Sequence, residues 1–164
     1  MNIVVAADAR WGIGLGGTQT LVVPEDRRHF RKVTGTGTIL VGRKTLLDVP
    51  GGKPLKNRRN IILTTDQTFT VEGGEIAHSV AEALELINEE DPDKVFVCGG
   101  ESVYRQLLPF CKRAYVTRID TAPKADAHFP NLDELPNWEL EGPGEEREHE
   151  GLKYRFQTYV NRSI

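Results

Sequence analysis

Three stretches carry side chains whose types and spacing could do chemistry. In PEDRRHFRKVT, Asp26, Phe30 and Val33 fall at i, i+4 and i+7, so a helix there sets one carboxylate on an otherwise apolar stripe. Two readings stand at this point. Asp26 complements the positive end of the helix dipole, worth about 0.5 kcal/mol, although Glu25 could do that alone. If the stripe instead lines a pocket, desolvation raises the carboxyl pKa, and Asp26 can bond an amidine-like ring edge or help deliver a proton.

The other two stretches are strand-to-helix junctions, Gly42-Arg43-Lys44-Thr45 and Cys98-Gly99-Gly100. Each puts glycine where free backbone N–H groups and a helix dipole favour an anion. Surface cations at a loop and a tight turn are the plainer readings. Leu63-Thr64-Thr65 ends a further apolar run with hydroxyls. Together the three strand ends favour a phosphate-rich cofactor. Two familiar motifs fail. Gly12, Gly14 and Gly17 satisfy G-x-G-x-x-G, but the TQTLVVP that follows is poor helix material, so GIGLGG reads as a mobile loop. GTILVGRKT nearly spells a phosphate loop, but Arg43 intervenes between Gly42 and Lys44.

The elements that must hold these residues alternate. NIVVAADA, GTILVG, NIILTT, KVFVCGG and RAYVTRID read as buried strands, and RKTLLDV, SVAEALELINEE and ESVYRQLLPF as helices. NWELEG and LKYRFQTYVNR alternate like an antiparallel pair, with charged EEREHEG between them. The pattern predicts an α/β fold of three layers: a mostly parallel central sheet, helices on both faces and a C-terminal antiparallel hairpin. In such sheets ligands bind at the carboxyl ends of the strands.

The bulk numbers agree with an ordinary globular chain. At about 100–200 residues per domain, residues 1–164 make one domain. Hydrophobic content is 38%, charged content 27% and net charge −3, which argues against nucleic acid or an anionic membrane as partner. Cys98 and Cys111 read as buried free thiols in a reducing compartment. MNIVVAADA lacks a basic leader and is too short an apolar run to span a membrane, so the expected location is cytoplasmic. No metal is called for.

In order along nearly the whole chain, the segments VAAD…GIG, PEDRRHFRKVT, LVGRKT, GKPLKNRRNIILTT, VFVCGGESVY, YVTRID, ADAHFPN and YRFQTYVNR resemble the signature segments of the dihydrofolate reductase family. The resemblance implies a monomeric, NADPH-dependent enzyme that reduces dihydrofolate to tetrahydrofolate. Asp26 would hold the pterin and help its N5 gain a proton, with Thr117 bonded to Asp26 or to the pterin amino group. Val4, Val5, Phe30, Val49 and Leu55 would wall the substrate, with Cys98 and Tyr104 beside them, and Arg58 would pair with its α-carboxylate. Ala6, Ile13 and Gly14 would border the nicotinamide. Gly42 to Thr45, with Gly99, Gly100, Glu101, Ser102, Val103 and Tyr104, would hold the diphosphate. Arg43, Leu63, Thr64, Thr65 and His78 would lie around the 2′-phosphate.

The chain also departs from the pattern. Thr20-Leu21 stands where the family commonly has Pro-Trp, whose indole helps position a water, and Arg27 follows the acid where an apolar residue is usual. Asp48 and Cys98 also replace commoner choices. A related reductase acting on a pyrimidine of riboflavin synthesis is disfavoured by Asp26 and Arg58, which serve folate. From another class, a nucleotide-binding module without catalysis and a small kinase remain, and the broken phosphate-loop spacing counts against the kinase.

Overall fold

Apolar, β-branched runs build the centre of the molecule, as a sheet covered on both faces requires. The computed structural model describes residues 1–19 and 21–164. In chain order, β1 (Asn2–Asp8) and short β2 (Gly12–Gly14) precede α1 (Pro24–Thr34), β3 (Thr38–Gly42) and α2 (Arg43–Asp48). β4 (Arg59–Leu63), β5 (Glu75–Ala77), α3 (Val80–Leu86), β6 (Val95–Val97) and α4 (Glu101–Leu107) follow. The chain closes with β7 (Arg113–Ile119), β8 (Ala127–His128), β9 (Trp138–Gly142), β10 (Arg147–His149) and β11 (Leu152–Asn161).

The main sheet runs β10-β11-β7-β1-β6-β3-β4-β5, with β9 also on β11. From β7 to β5 every pairing is parallel, while β11 is antiparallel to β7, β9 and β10. This is the expected α/β architecture with an antiparallel edge. It differs in short strands that the sequence reading did not give. The charged segment read as a connector contains β10, which turns into β11 through Glu150 (φ 50) and Gly151 (φ 82), the paired positive angles of a tight hairpin. The glycine-rich loop contains β2, which pairs with β8.

Strand alternation divides the core into two faces. Ile3, Val5, Leu40, Ile61 and Val97 pack with Ala83 of α3 and Leu107 of α4. Val4, Ile39, Val41, Ile62 and Phe96 pack with Phe30 of α1 and Leu46 of α2. Helices therefore cover both faces, and α1 and α2 lie on one of them.

α1 starts on Pro24, whose missing N–H costs nothing in a first turn. It stops at Gly35 (φ 51), whose N–H donates to the Arg31 carbonyl at 3.0 Å. Two residues on, Gly37 leaves no room for a side chain. A Cβ there would press on the Lys94 carbonyl and lie 2.9 Å from Phe96 Cε2. Gly37→Ala should therefore cost about 1–3 kcal/mol of overpacking. Thermal unfolding checks this, and an unchanged melting temperature would refute it. Among the described residues no helix is long and apolar enough to cross a membrane.

Candidate active site

Phe30 and Val33 lay α1 against the sheet, packing with the cluster that holds Val4, Val49 and Leu55. Asp26 shares that stripe and is half-buried. From β7, buried Thr117 donates its hydroxyl to Asp26 Oδ1 at 2.5 Å. Burial drives the Asp26 carboxyl above its ordinary range, and the Thr117 bond and the His29 charge pull back only part of the rise. His29 lies one turn further along α1 and stacks on Phe156 of β11, ring centroids 3.9 Å apart. Its burial lowers its pKa, against the pull of Asp26. Reading the sequence for Asp26 alone missed this imidazole, although its i+3 spacing was visible.

The neighbours of that carboxylate are mostly apolar. Leu21 packs with the cluster that holds Ala6, Ile119, Tyr154 and Phe156, and its side chain offers no hydrogen bond. Thr20 lies outside the described residues. A narrow seam, too tight to admit a water, runs between Ala6, Ile13, Leu21 and Ile119, with Asp8, Gly12 and Gln19 completing its walls. Gly14 is buried beside it, within β2.

Aspartates fasten the glycine-rich loop over this seam. Asp8 Oδ1 accepts from the N–H groups of Arg10 and Gly12, each at 2.8 Å. The Gly16 N–H donates to Asp126 Oδ2 at 3.1 Å, and the Gln19 N–H to Asp48 Oδ2 at 3.4 Å. Asp8 and Asp126 went unremarked in the sequence: Asp8 bonds backbone two and four residues on, a local signal that was passed over, whereas nothing local says that Asp126, 110 positions away, ties down Gly16.

The substrate-side candidates separate. Val4 faces α1, whereas the Val5 side chain points to the opposite face among Ile3, Leu40 and Val97. Adjacent strand residues cannot both wall one cleft with their side chains, so Val5 is corrected out of that wall. Tyr104 is buried and spends its hydroxyl on the Val4 carbonyl at 2.7 Å, which links α4 to β1. Cys98 packs with the α1-side cluster, its thiol 3.6 Å from the Phe96 carbonyl, and burial pushes its pKa up. Arg58 sits at the far end of the stripe. Its Nε donates to Thr34 Oγ1 at 3.1 Å and its Nη1 to the Lys56 carbonyl at 2.9 Å. Arg27 is exposed on α1.

At the carboxyl ends of β3 and β6 two glycine turns meet. The Gly42 N–H donates to the Gly99 carbonyl at 2.8 Å. A Cβ on Gly100 would lie 3.0 Å from Thr45 Oγ1, and one on Gly42 3.2 Å from Val103. Gly99 has φ +125, which only glycine adopts without strain. The peptide between Gly99 and Gly100 is cis. Val103, like Tyr104, turns into the core. Glu101 and Ser102 stay near the surface of α4: a Glu101 oxygen accepts from the His128 N–H, and Ser102 Oγ meets Gln106 at 2.9 Å.

A second polar cluster sits one strand further out. Arg43 reaches Asp66 at 3.4 Å and lies over the Phe69 ring. His78 Nδ1 lies 3.0 Å from the Thr64 carbonyl, and Thr64 Oγ1 accepts from the Asp66 N–H. Thr65 and Lys44 are exposed, and Leu63 packs against the core. Asp66 was missed in the sequence, although it directly follows the paired threonines. Glycine backbone beside an arginine, a threonine and a histidine can receive anionic groups.

The family model described as dihydrofolate reductase matches residues 1–161. A protein of Bacillus subtilis (strain 168) named dihydrofolate reductase is 32% identical, covering 99% of this chain and 95% of its own. One of the same name from Staphylococcus haemolyticus is 34% identical, over 97% and 94%. Another, from Staphylococcus aureus (strain Mu50 / ATCC 700699), is 33% identical, over 85% and 83%.

Proposed function

The chain belongs to the dihydrofolate reductase family, and from that premise we propose that NADPH, when bound, supplies the hydride that reduces dihydrofolate to tetrahydrofolate at the Asp26 cleft. The observation that carries this reading is the Asp26 carboxyl itself. It is half-buried, oriented by Thr117 at 2.5 Å and raised above its ordinary range. Such a group keeps a proton closer to neutral pH than a surface aspartate and can pass it toward N5 of a pterin. Ionised, it accepts from the pterin ring N–H and amino group.

Val4, Phe30, Val49 and Leu55 exclude water from the ring and the benzoyl group behind it, and Arg58 takes the α-carboxylate. Ala6, Ile13 and Gly14 border the nicotinamide along the seam. Gly42, Thr45, Gly99 and Gly100 receive the diphosphate at the glycine turns. Arg43, Thr64, Thr65 and His78 receive the 2′-phosphate, for which Arg43 exchanges its Asp66 contact. The glycine-rich loop, held by Asp8, Asp126 and Asp48, keeps solvent from the reacting atoms. Leu21 carries no indole to hold a water, so the proton reaches N5 from Asp26 with less help than an indole would give.

All these residues belong to one chain, which suits a monomer of a single domain. The free thiols of Cys98 and Cys111 suit a reducing cytosol.

The test is spectrophotometric. Purified protein should consume NADPH only when dihydrofolate is added, and much more slowly consume NADH. A flat absorbance trace at saturating dihydrofolate would remove the enzyme reading and leave a nucleotide-binding module.

A further inference from the structure

Among the described residues, three buried side-chain polar atoms have no hydrogen-bond partner: Asp8 Oδ2, Arg118 Nε and Gln157 Oε1. Buried polar groups are rarely left so, because nothing then repays their lost water. Two of the three residues, Arg118 and Gln157, line one solvent-open cleft of ≈220 Å³, together with Lys153 and Arg155.

Strand register explains the gathering. Arg155 of β11 stands directly opposite Arg118 of β7, and Gln157 opposite Val116. Alternation turns Arg118 to the face opposite Thr117, so the cleft lies on the other side of the sheet from Asp26. Lys153, Arg155 and Gln157, each two residues apart on β11, share that face. Like charges directly opposite each other cost stability, and the nearby acids relieve little of it. Asp133 lies 3.7 Å from Arg118, and exposed Glu146 lies 3.9 Å from both Lys153 and Arg155. Ion pairs that long and that exposed are weak. Asp120, the other acid lining the cleft, is exposed.

We propose that this cleft binds a phosphate group, free or as the monoester of a small molecule. Arg118 Nε needs an acceptor and Gln157 Oε1 needs a donor. A singly protonated phosphate offers both: its anionic oxygens accept from Arg118 and Arg155, and its P–OH donates to Gln157. Sulfate has the same shape but no proton to give. Both protein atoms are buried at the cleft wall, and occupation turns them onto the ligand and pairs them. Two strands, β1 and β6, separate β7 from β3, whose end carries Gly42 and Arg43, so this site is apart from the junctions that receive the cofactor. Arg118 also anchors the base of the glycine-rich loop. Its Nη2 donates to the Ala9 carbonyl at 3.3 Å, and its guanidinium lies 4.0 Å over the Trp11 ring. An occupant therefore engages the side chain that holds that loop.

Calorimetric titration at pH 6 and constant ionic strength tests this, with NADPH present to fill the glycine junctions. At that pH a phosphate monoester still carries its hydroxyl in large part. Inorganic phosphate should give a saturable one-to-one isotherm, and sulfate should bind about tenfold more weakly. R155Q should weaken phosphate about tenfold, and Q157L should bring phosphate down to the level of sulfate. R162Q, outside the cleft, should change nothing. Glycerol phosphate binding more tightly than inorganic phosphate identifies a monoester as the occupant, and the reverse order identifies free phosphate. No saturable heat with either, equal affinities for phosphate and sulfate, or wild-type affinity in R155Q overturns the site. Arg155 stands at the exposed rim, so R155Q decides the matter even if Q157L fails to fold. None of these outcomes touches the reductase reading, which stands or falls on NADPH consumption.

Discussion

Asp26→Asn lowers turnover near neutral pH by about a hundredfold or more, the usual worth of a positioned general acid, without unfolding the protein. The substitution is nearly isosteric, and the Asn carbonyl still accepts from Thr117. What disappears is a proton held by a carboxyl that burial keeps above its ordinary range, with Thr117 and His29 only partly offsetting it. The wild-type rate should fall as pH rises through that raised value, because the protonated fraction drops. The variant's deficit should narrow as pH falls, because solvent can then protonate the substrate nitrogen.

Stability should move the other way. A carboxyl whose folded pKa lies above its unfolded value of 3.8 contributes stability in full only below the unfolded value, and that contribution is lost as pH rises through the folded one. At neutral pH the ionised, half-buried Asp26 therefore costs stability. Asp26→Asn should melt at the wild-type temperature or above it at pH 7, and lose that advantage in acid. A variant with wild-type turnover across the pH range would return Asp26 to the role of a helix-end charge.

How much of this was legible in the sequence depends on whether the signal was local. α1 ran from Pro24 to Thr34 as read, because a proline and a glycine bracket it and its stripe has a helical period. The central strands were legible because burial on both faces leaves continuous apolar runs. β10 was not. Arg147 and Glu148 are exposed on an edge strand, so no apolar pattern could announce it, and charge is how edges are kept from pairing further. β5 is three residues long and left no periodicity to read.

The same rule sorts the site. Asp26 stood out as a carboxylate on an apolar stripe. Its partner Thr117 lies 91 positions away, and only the ordered family resemblance named it. The family resemblance put Val5 in the substrate wall together with Val4, yet the strand period of two sends the two side chains to opposite faces. Asp126 meets Gly16 across 110 positions and Asp66 meets Arg43 across 23, and no spacing in the chain encodes those meetings; Asp8, bonded two and four residues on, was local and could have been read.

Arg58→Ala should raise the Michaelis constant for dihydrofolate about ten- to a hundredfold, matching about 1.5–3 kcal/mol for hydrogen bonds to a charged group, with little change in kcat. The Arg58 side chain is not a loose surface cation. Thr34 Oγ1 and the Lys56 carbonyl hold its Nε and Nη1, and Thr34 is itself fixed by donating to the Phe30 carbonyl at 2.8 Å. The guanidinium is thus oriented before any substrate arrives, and its remaining N–H groups form a fork suited to a carboxylate. A carboxylate held there would lie at the far end of the apolar stripe from Asp26 and take no part in hydride or proton transfer. Its contacts are therefore the same in the ground state and the transition state, and losing them raises the Michaelis constant without slowing the chemical step. Arg58→Lys keeps the charge but not the fork, and should fall between the two. Because the alanine also frees Thr34 and the Lys56 loop, its melting temperature must be read beside its kinetics. A folded Arg58→Ala protein with an unchanged Michaelis constant would remove the carboxylate clamp. A fall in kcat as large as the rise in Michaelis constant would show that Arg58 positions the reacting ring as well as the tail.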